Sequence, residues 1–132
     1  MKKLVMLANK IALLTVLMLM AMLSNVKADE IHRVTATSYC IKENPTASNT
    51  QPRYGVVAGK REWLGSTMVI WLDDGDGQIK PENYYGTFSC EDLGGSQAIK
   101  DGIVIDIFLN TYEESVNFGS KKMIIQIIES EG

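Results

Sequence analysis

From residue 33 onward the chain is a succession of β-prone runs of five to eight residues, each cut short by Gly, Pro, Asn or Asp. No long amphipathic helix or extended sheet can be built from such pieces. The runs are 33–40 (RVTATSYC), 54–58 (YGVVA), 67–72 (TMVIWL), 84–90 (YYGTFSC), 103–109 (IVIDIFL) and 123–128 (MIIQII). Their β-branched and aromatic content predicts six short strands. Between them, residues 41–53 hold Pro45, Pro52, Asn44, Ser48 and Asn49 and read as a loop. Residues 60–65 read as a turn anchored on Trp63, and 73–77 (DDGDG) as a hairpin turn. One segment, 111–118, is helical in pattern. Asn110 or Thr111 caps it, Glu113 and Glu114 sit in its first turn, and Gly119 ends it. Six short strands, one short helix and no internal repeat predict a mainly β fold closed as a small barrel.

The N-terminal segment is set apart from that fold. Lys2, Lys3 and Lys10 precede an apolar run over residues 11–23 that only Thr15 interrupts, and Val26-Lys27-Ala28 follows. This is the three-part layout of a secretory signal peptide. The run is short against the roughly 20 residues a membrane span requires. The expectation is cleavage after Ala28, giving a signal peptide over 1–28 and one exported domain over 29–132. A retained N-terminal anchor is the other reading.

Four of the thirteen Lys and Arg lie within residues 1–28, so nine remain against all sixteen acids, a net charge of −7 for the domain. That argues against nucleic acid and anionic membrane surfaces as partners. A weakly charged polymer such as a glycan fits better. Both cysteines, Cys40 and Cys90, fall in the domain. In an oxidising exterior they would form one disulfide closing a loop of about 50 residues, worth about 3–4 kcal/mol; two independent thiols are the alternative. A single histidine, His32, in the expected N-terminal tail, leaves no Cys–His couple, and the Cys/His count excludes three-histidine or cysteine-rich zinc sites. No cofactor or metal is expected.

Two acids concentrate the chemistry. Asp92 ends an apolar run just before Gly94-Gly95, and Asp106 interrupts the otherwise apolar run 103–109. A carboxylate in mid-strand is costly to desolvate unless it has a partner or a role. Asp106 shares a strand face with Val104 and Phe108, which is at odds with simple solvent exposure. Asp92 is equally suited to capping the Gly94-Gly95 turn, where the glycines would permit a tight or positive-φ turn.

At this point the chain resembles the three-aspartate ("3D") domain family, of the RlpA-like and MltA-like double-psi β-barrel superfamily. The matching pieces, in order, are TATSYC (35–40), TAS (46–48), GVVA (55–58), Leu64-Gly65, DLGG (92–95), AIKDG (98–102), IDIF (105–108) and Phe118-Gly119. They span nearly all of residues 29–132. The resemblance implies a six-stranded double-psi barrel whose aspartates meet in a groove holding peptidoglycan glycan strands. It implies a lytic transglycosylase with Asp106 as the catalytic acid and Asp92 as a supporting residue. Two departures accompany it. Where the family's first aspartate follows the Val-Ala step, this chain has Gly59-Lys60-Arg61, with Glu62 nearby, and the stretch from Asp92 to Asp106 is about three residues longer than the common form. A non-catalytic glycan-binding module of the same fold, and a glycosidase using water and a second carboxylate, are the rival readings.

Further candidates follow from position. Thr37 and Ser48 lie in segments that line the site in relatives and would hydrogen-bond a sugar, or serve ordinary strand and turn chemistry. Tyr39, Tyr54, Trp63 and Trp71 offer stacking surfaces or core packing. Lys60 and Arg61 would bind muropeptide carboxylates or form a solvated basic turn. Asp73, Asp74 and Asp76 resemble the start of a calcium loop. Counted from Asp74, however, the twelfth position is Tyr85, and a solvated hairpin is expected.

Overall fold

The structure, a computed structural model, describes residues 2–24 and 30–129. The expected cleavage point after Ala28 lies outside the described residues. The N-terminal segment forms a helix, α1 (Lys2–Ser24). No helix among the described residues is long and apolar enough to cross a membrane.

Six strands follow: β1 (Glu30–Tyr39), β2 (Val56–Gly59), β3 (Thr67–Leu72), β4 (Tyr84–Leu93), β5 (Val104–Phe108) and β6 (Lys121–Ile128). They close into one mixed barrel in the order β1-β5-β2-β4-β3-β6. The pairs β1/β5 and β2/β4 are parallel and the other four antiparallel. The mainly β, six-stranded barrel expected from the sequence is the observed fold.

Alternation puts one set of side chains inside. Val34 and Ala36 of β1, Val57 of β2, Met68 and Ile70 of β3, Phe88 and Cys90 of β4, Ile105 and Ile107 of β5, and Met123, Ile125 and Ile127 of β6 make the core. Each fully buried isoleucine stabilises the barrel by about 1.5–3 kcal/mol. Trp63, on a 3-10 turn over Arg61–Trp63, joins them with 2% of its surface exposed.

Two short helices complete the domain. In α3 (Tyr112–Phe118) the Thr111 hydroxyl accepts from Glu114 N, and Phe118 reaches the core. The α2 turn (Gln97–Lys100), capped by Ser96, was not expected from the sequence.

Several boundaries differ from the expectation. Strand β1 begins three residues early, so His32 is not in a tail but paired with Ile125 and hydrogen-bonded to Glu30 at 3.1 Å. The acidic turn is not a tight hairpin. Trp71 pairs with Tyr84, so residues 73–83 form the whole connection between β3 and β4. Strand β4 runs on to Leu93, which places Asp92 within a strand rather than in a loop. Neither Gly94 nor Gly95 has positive φ. Gly94 is needed for another reason: a Cβ there would overlap the Ile99 side chain of α2.

Cys40 and Cys90 are both free thiols. Cys90 lies on the core face, where its Sγ would meet any Cβ added at Gly59, and Cys40 follows the end of β1, half-buried. Burial pushes the Cys90 thiol up to about 12, which leaves it unreactive.

Candidate active site

Four strands carry the candidate residues in one row. Thr37 of β1 pairs with Asp106 of β5, Asp106 with Ala58 of β2, and Ala58 with Asp92 of β4. Directly paired residues project on the same side of a sheet. The row therefore lies on the outer face of the barrel, opposite Ala36, Val57, Cys90, Ile105 and Ile107. Adjacent strands are about 4.8 Å apart, so the two acids spring from backbones about 10 Å apart. Ala58, buried, lies between them in the register, and the Tyr39 side chain of β1 reaches across this face to Asp92.

Asp92 reaches this face through an irregularity. Val57 pairs with Cys90, but the next residue, Ala58, pairs with Asp92, so Glu91 is an extra residue in β4. Without that bulge, Asp92 would share the core face with Cys90. A bulge re-aims the side chains beyond it, and here it turns Asp92 outward beside Asp106.

Each acid has defined partners. Thr37 Oγ1 donates to Asp106 Oδ1 at 2.9 Å. Asp92 accepts three hydrogen bonds: from the Tyr39 hydroxyl to Oδ2 at 3.1 Å, and from Ala47 N at 3.0 Å and Leu93 N at 2.9 Å to Oδ1. Tyr39 is steadied by an edge contact with Phe108, ring centres 5.4 Å apart. Its phenol is raised well above its ordinary range, first by burial and then by the charge of Asp92 and the hydrogen bond to it, so it remains a donor. Burial also raises Asp106 above the usual carboxylate range. The charge of Asp92 adds to the rise and the Thr37 hydrogen bond opposes it.

Sequence reasoning missed what holds the loop over this row. Arg53 forks onto Glu91, Nη1 to Oε1 at 3.0 Å and Nη2 to Oε2 at 2.7 Å. Ser48 N donates to Glu91 O at 3.0 Å, and Thr46 and Thr50 share a hydroxyl contact at 2.6 Å. The guanidinium holds the Glu91 carboxyl down to about 2. An Arg and a Glu 38 residues apart carry no pairing signal in the sequence. The one legible hint was the polar Glu91-Asp92 pair ending an apolar run.

The expected residues are thus distributed as follows. Thr37, Tyr39, Asp92 and Asp106 come together, and Ser48 sits exposed at the loop rim beside them. Gly94 and Gly95 follow Asp92 after Leu93. Lys60 holds its Nζ 4.8 Å above the Trp63 ring, a packing role. Trp63 is buried, its indole N–H donating to Glu30 at 3.2 Å, so it offers no stacking surface; Tyr54, 57% exposed, does. Glu62, on the 3-10 turn, is exposed. In the acidic loop, Lys80 Nζ lies 2.6 Å from Asp74 and 2.7 Å from Asp76, while Asp73 accepts from Arg33 Nε at 2.8 Å. The protein's own cations meet those carboxylates.

No protein-family profile matches the chain, and no characterised protein matches it in sequence. Among solved structures, an apo form of an alanine variant of the E. coli lytic transglycosylase MltA is similar over 71% of this chain and 30% of its own, with TM-score 0.49 and 18% identity. A second MltA structure from E. coli is similar over 70% and 29%, with TM-score 0.48 and 19% identity. The chain spans about three tenths of the length of these proteins.

Proposed function

We propose that residues 1–28 direct export and that 29–132 form a cell-wall-associated, extracytoplasmic domain acting on peptidoglycan glycan strands, as a lytic transglycosylase with Asp106 as general acid and base. The observation that carries this reading is the half-buried Asp106 carboxyl on the outer face, raised above its ordinary range and one alanine away from Asp92.

A single carboxylic acid suffices for this chemistry. Protonated Asp106 gives its proton to the glycosidic oxygen. The bond from C1 to that oxygen breaks, and its electron pair leaves with the departing sugar. Positive charge then spreads over C1 and the ring oxygen, and the carboxylates of Asp106 and Asp92 stabilise it. Asp106 takes back a proton from the 6-hydroxyl of the same sugar, whose oxygen closes onto C1 as an anhydro ring. Protonation before the step requires a raised pKa, which burial and a like charge supply. Thr37 orients the Asp106 carboxyl, and Tyr39 with the Ala47 amide fixes Asp92.

A non-catalytic glycan-binding module is the second reading. It is favoured by the row holding two acids and not three, with Lys60 packed on Trp63 where the family's first aspartate is found. One experiment separates the two. The purified protein and its Asp106→Asn variant are incubated with peptidoglycan, and the soluble products are weighed by mass spectrometry. Anhydro-muropeptides from the wild type alone support the transglycosylase. Reducing-end products point to hydrolysis, and wall binding with no product points to the module.

A further inference from the structure

The outer face of β1 continues past the acid pair. Arg33, Thr35, Thr37 and Tyr39 alternate along it, and the last two hold Asp106 and Asp92. One pleat back from Thr37, about 7 Å along the strand, Thr35 pairs with Val104 on one side and with Lys122 of β6 on the other. Thr35, Lys122, Arg33, Asp73 and Ile103 line a cavity of about 290 Å³.

Its charges do not cancel. Arg33 is committed to Asp73 and to Gly75 O, at 2.8 and 3.2 Å, so those two charges offset each other. Lys122 is exposed and has no ion pair among the described residues. In a domain of net charge −7 this leaves an uncompensated ammonium one pleat from the acid site. Around it stand the Thr35 hydroxyl and the side chain of Ile103, 59% exposed. An ammonium, a hydroxyl and an aliphatic flank suit a carboxylate-bearing chain with small alkyl groups. They offer nothing particular to an uncharged sugar.

We propose that this cavity is a subsite for the anionic peptide branch of a peptide-bearing glycan, with Lys122 as its charge contact and Ile103 as its apolar wall. The inference rests on the glycan reading and narrows it: the preferred substrate carries its peptides. A strand seated at Asp106 delivers a branch from the neighbouring sugar into the Thr35–Lys122 cavity. Lys122 is a specificity residue here and takes no part in bond cleavage.

The test uses soluble peptidoglycan fragments, with peptides intact or removed by an amidase. Binding is measured by calorimetry to the full chain carrying Asp106→Asn, so that the ligands stay whole. The expected result is about tenfold tighter binding of the peptide-bearing fragments, the size of one charge-assisted hydrogen bond. Adding Lys122→Glu should erase that preference and leave the stripped glycan unaffected, while Lys42→Glu, on the loop, should change nothing. Equal affinity for both fragments, or a loss with Lys122→Glu that is the same for both, overturns the subsite and leaves the glycan reading standing. Binding of neither fragment overturns both.

Discussion

Removing the Arg53–Glu91 fork tests how the loop over the acid row is held. The Glu91 carboxyl is held down from 4.5 to about 2. At 1.36 kcal/mol per unit this corresponds to about 3 kcal/mol of pH-dependent stability. Arg53 is 55% exposed at its side chain while Glu91 is 12%, so solvent screening reduces the figure to about 1–2 kcal/mol. A group whose pKa falls on folding contributes fully above its unfolded value and loses that contribution as the pH drops through the folded one. Glu91→Gln should therefore lower Tm by about 5–10 °C at pH 7 for a domain of this size. The difference between variant and wild type should shrink steadily from pH 4.5 towards pH 2. Thermal melts followed by circular dichroism across that range measure it. A difference that stays constant with pH would refute the ionic account and leave only packing. No difference at pH 7 would refute the clamp itself.

Asp106→Asn should cost at least about a hundredfold in anhydro-product formation. It should also raise Tm at pH 7, because a carboxyl with a raised folded pKa loses stability as the pH rises through that value; the gain should vanish in acid, as melts at pH 3 and pH 7 would show. Ala58→Leu, which overpacks a buried position between the acids, should abolish glycan cleavage in the same assay and destabilise the fold by about 1–3 kcal/mol, measured by urea denaturation. Gly94→Ala should destabilise by about 1–3 kcal/mol through overlap with Ile99, measured by urea denaturation. In a thiol titration of the native protein with an aromatic disulfide, Cys40 should react and Cys90 only after unfolding; a single disulfide-linked species would contradict the free thiols.

What the sequence disclosed was what depends on neighbours in the chain. The run 67–72 coincides with β3, and of the two residues able to cap α3, Asn110 and Thr111, it is Thr111 that accepts from Glu114 N. Alternation in 103–109 placed Asp106 on the face opposite Ile105 and Ile107, as found. Long-range choices were not written locally. Nothing in 33–40 says that β1 lies parallel to β5, and nothing in Arg53 points to Glu91. Strand β4 runs past the expected end at Cys90 because pairing with β2 overrides the poor strand preference of Glu91 and Asp92. The α2 turn of four residues is too short for a periodicity to show.

The bulge in β4 has one more consequence. A regular strand offers its side chains two addresses, inside and outside. Here three consecutive residues have three: Cys90 in the core, Glu91 on the covering loop, Asp92 at the candidate site. Loop and acid thus share a single peptide unit as their mounting, and they cannot be altered independently from that side. Residues 41–45 are free of this tie, since the bonds from the loop to Glu91 and Asp92 begin at Ala47. Lengthening the chain there would reshape the loop beside the candidate site without disturbing the acids, whereas a change among residues 46–53 would reach the bonds to Glu91 and Asp92.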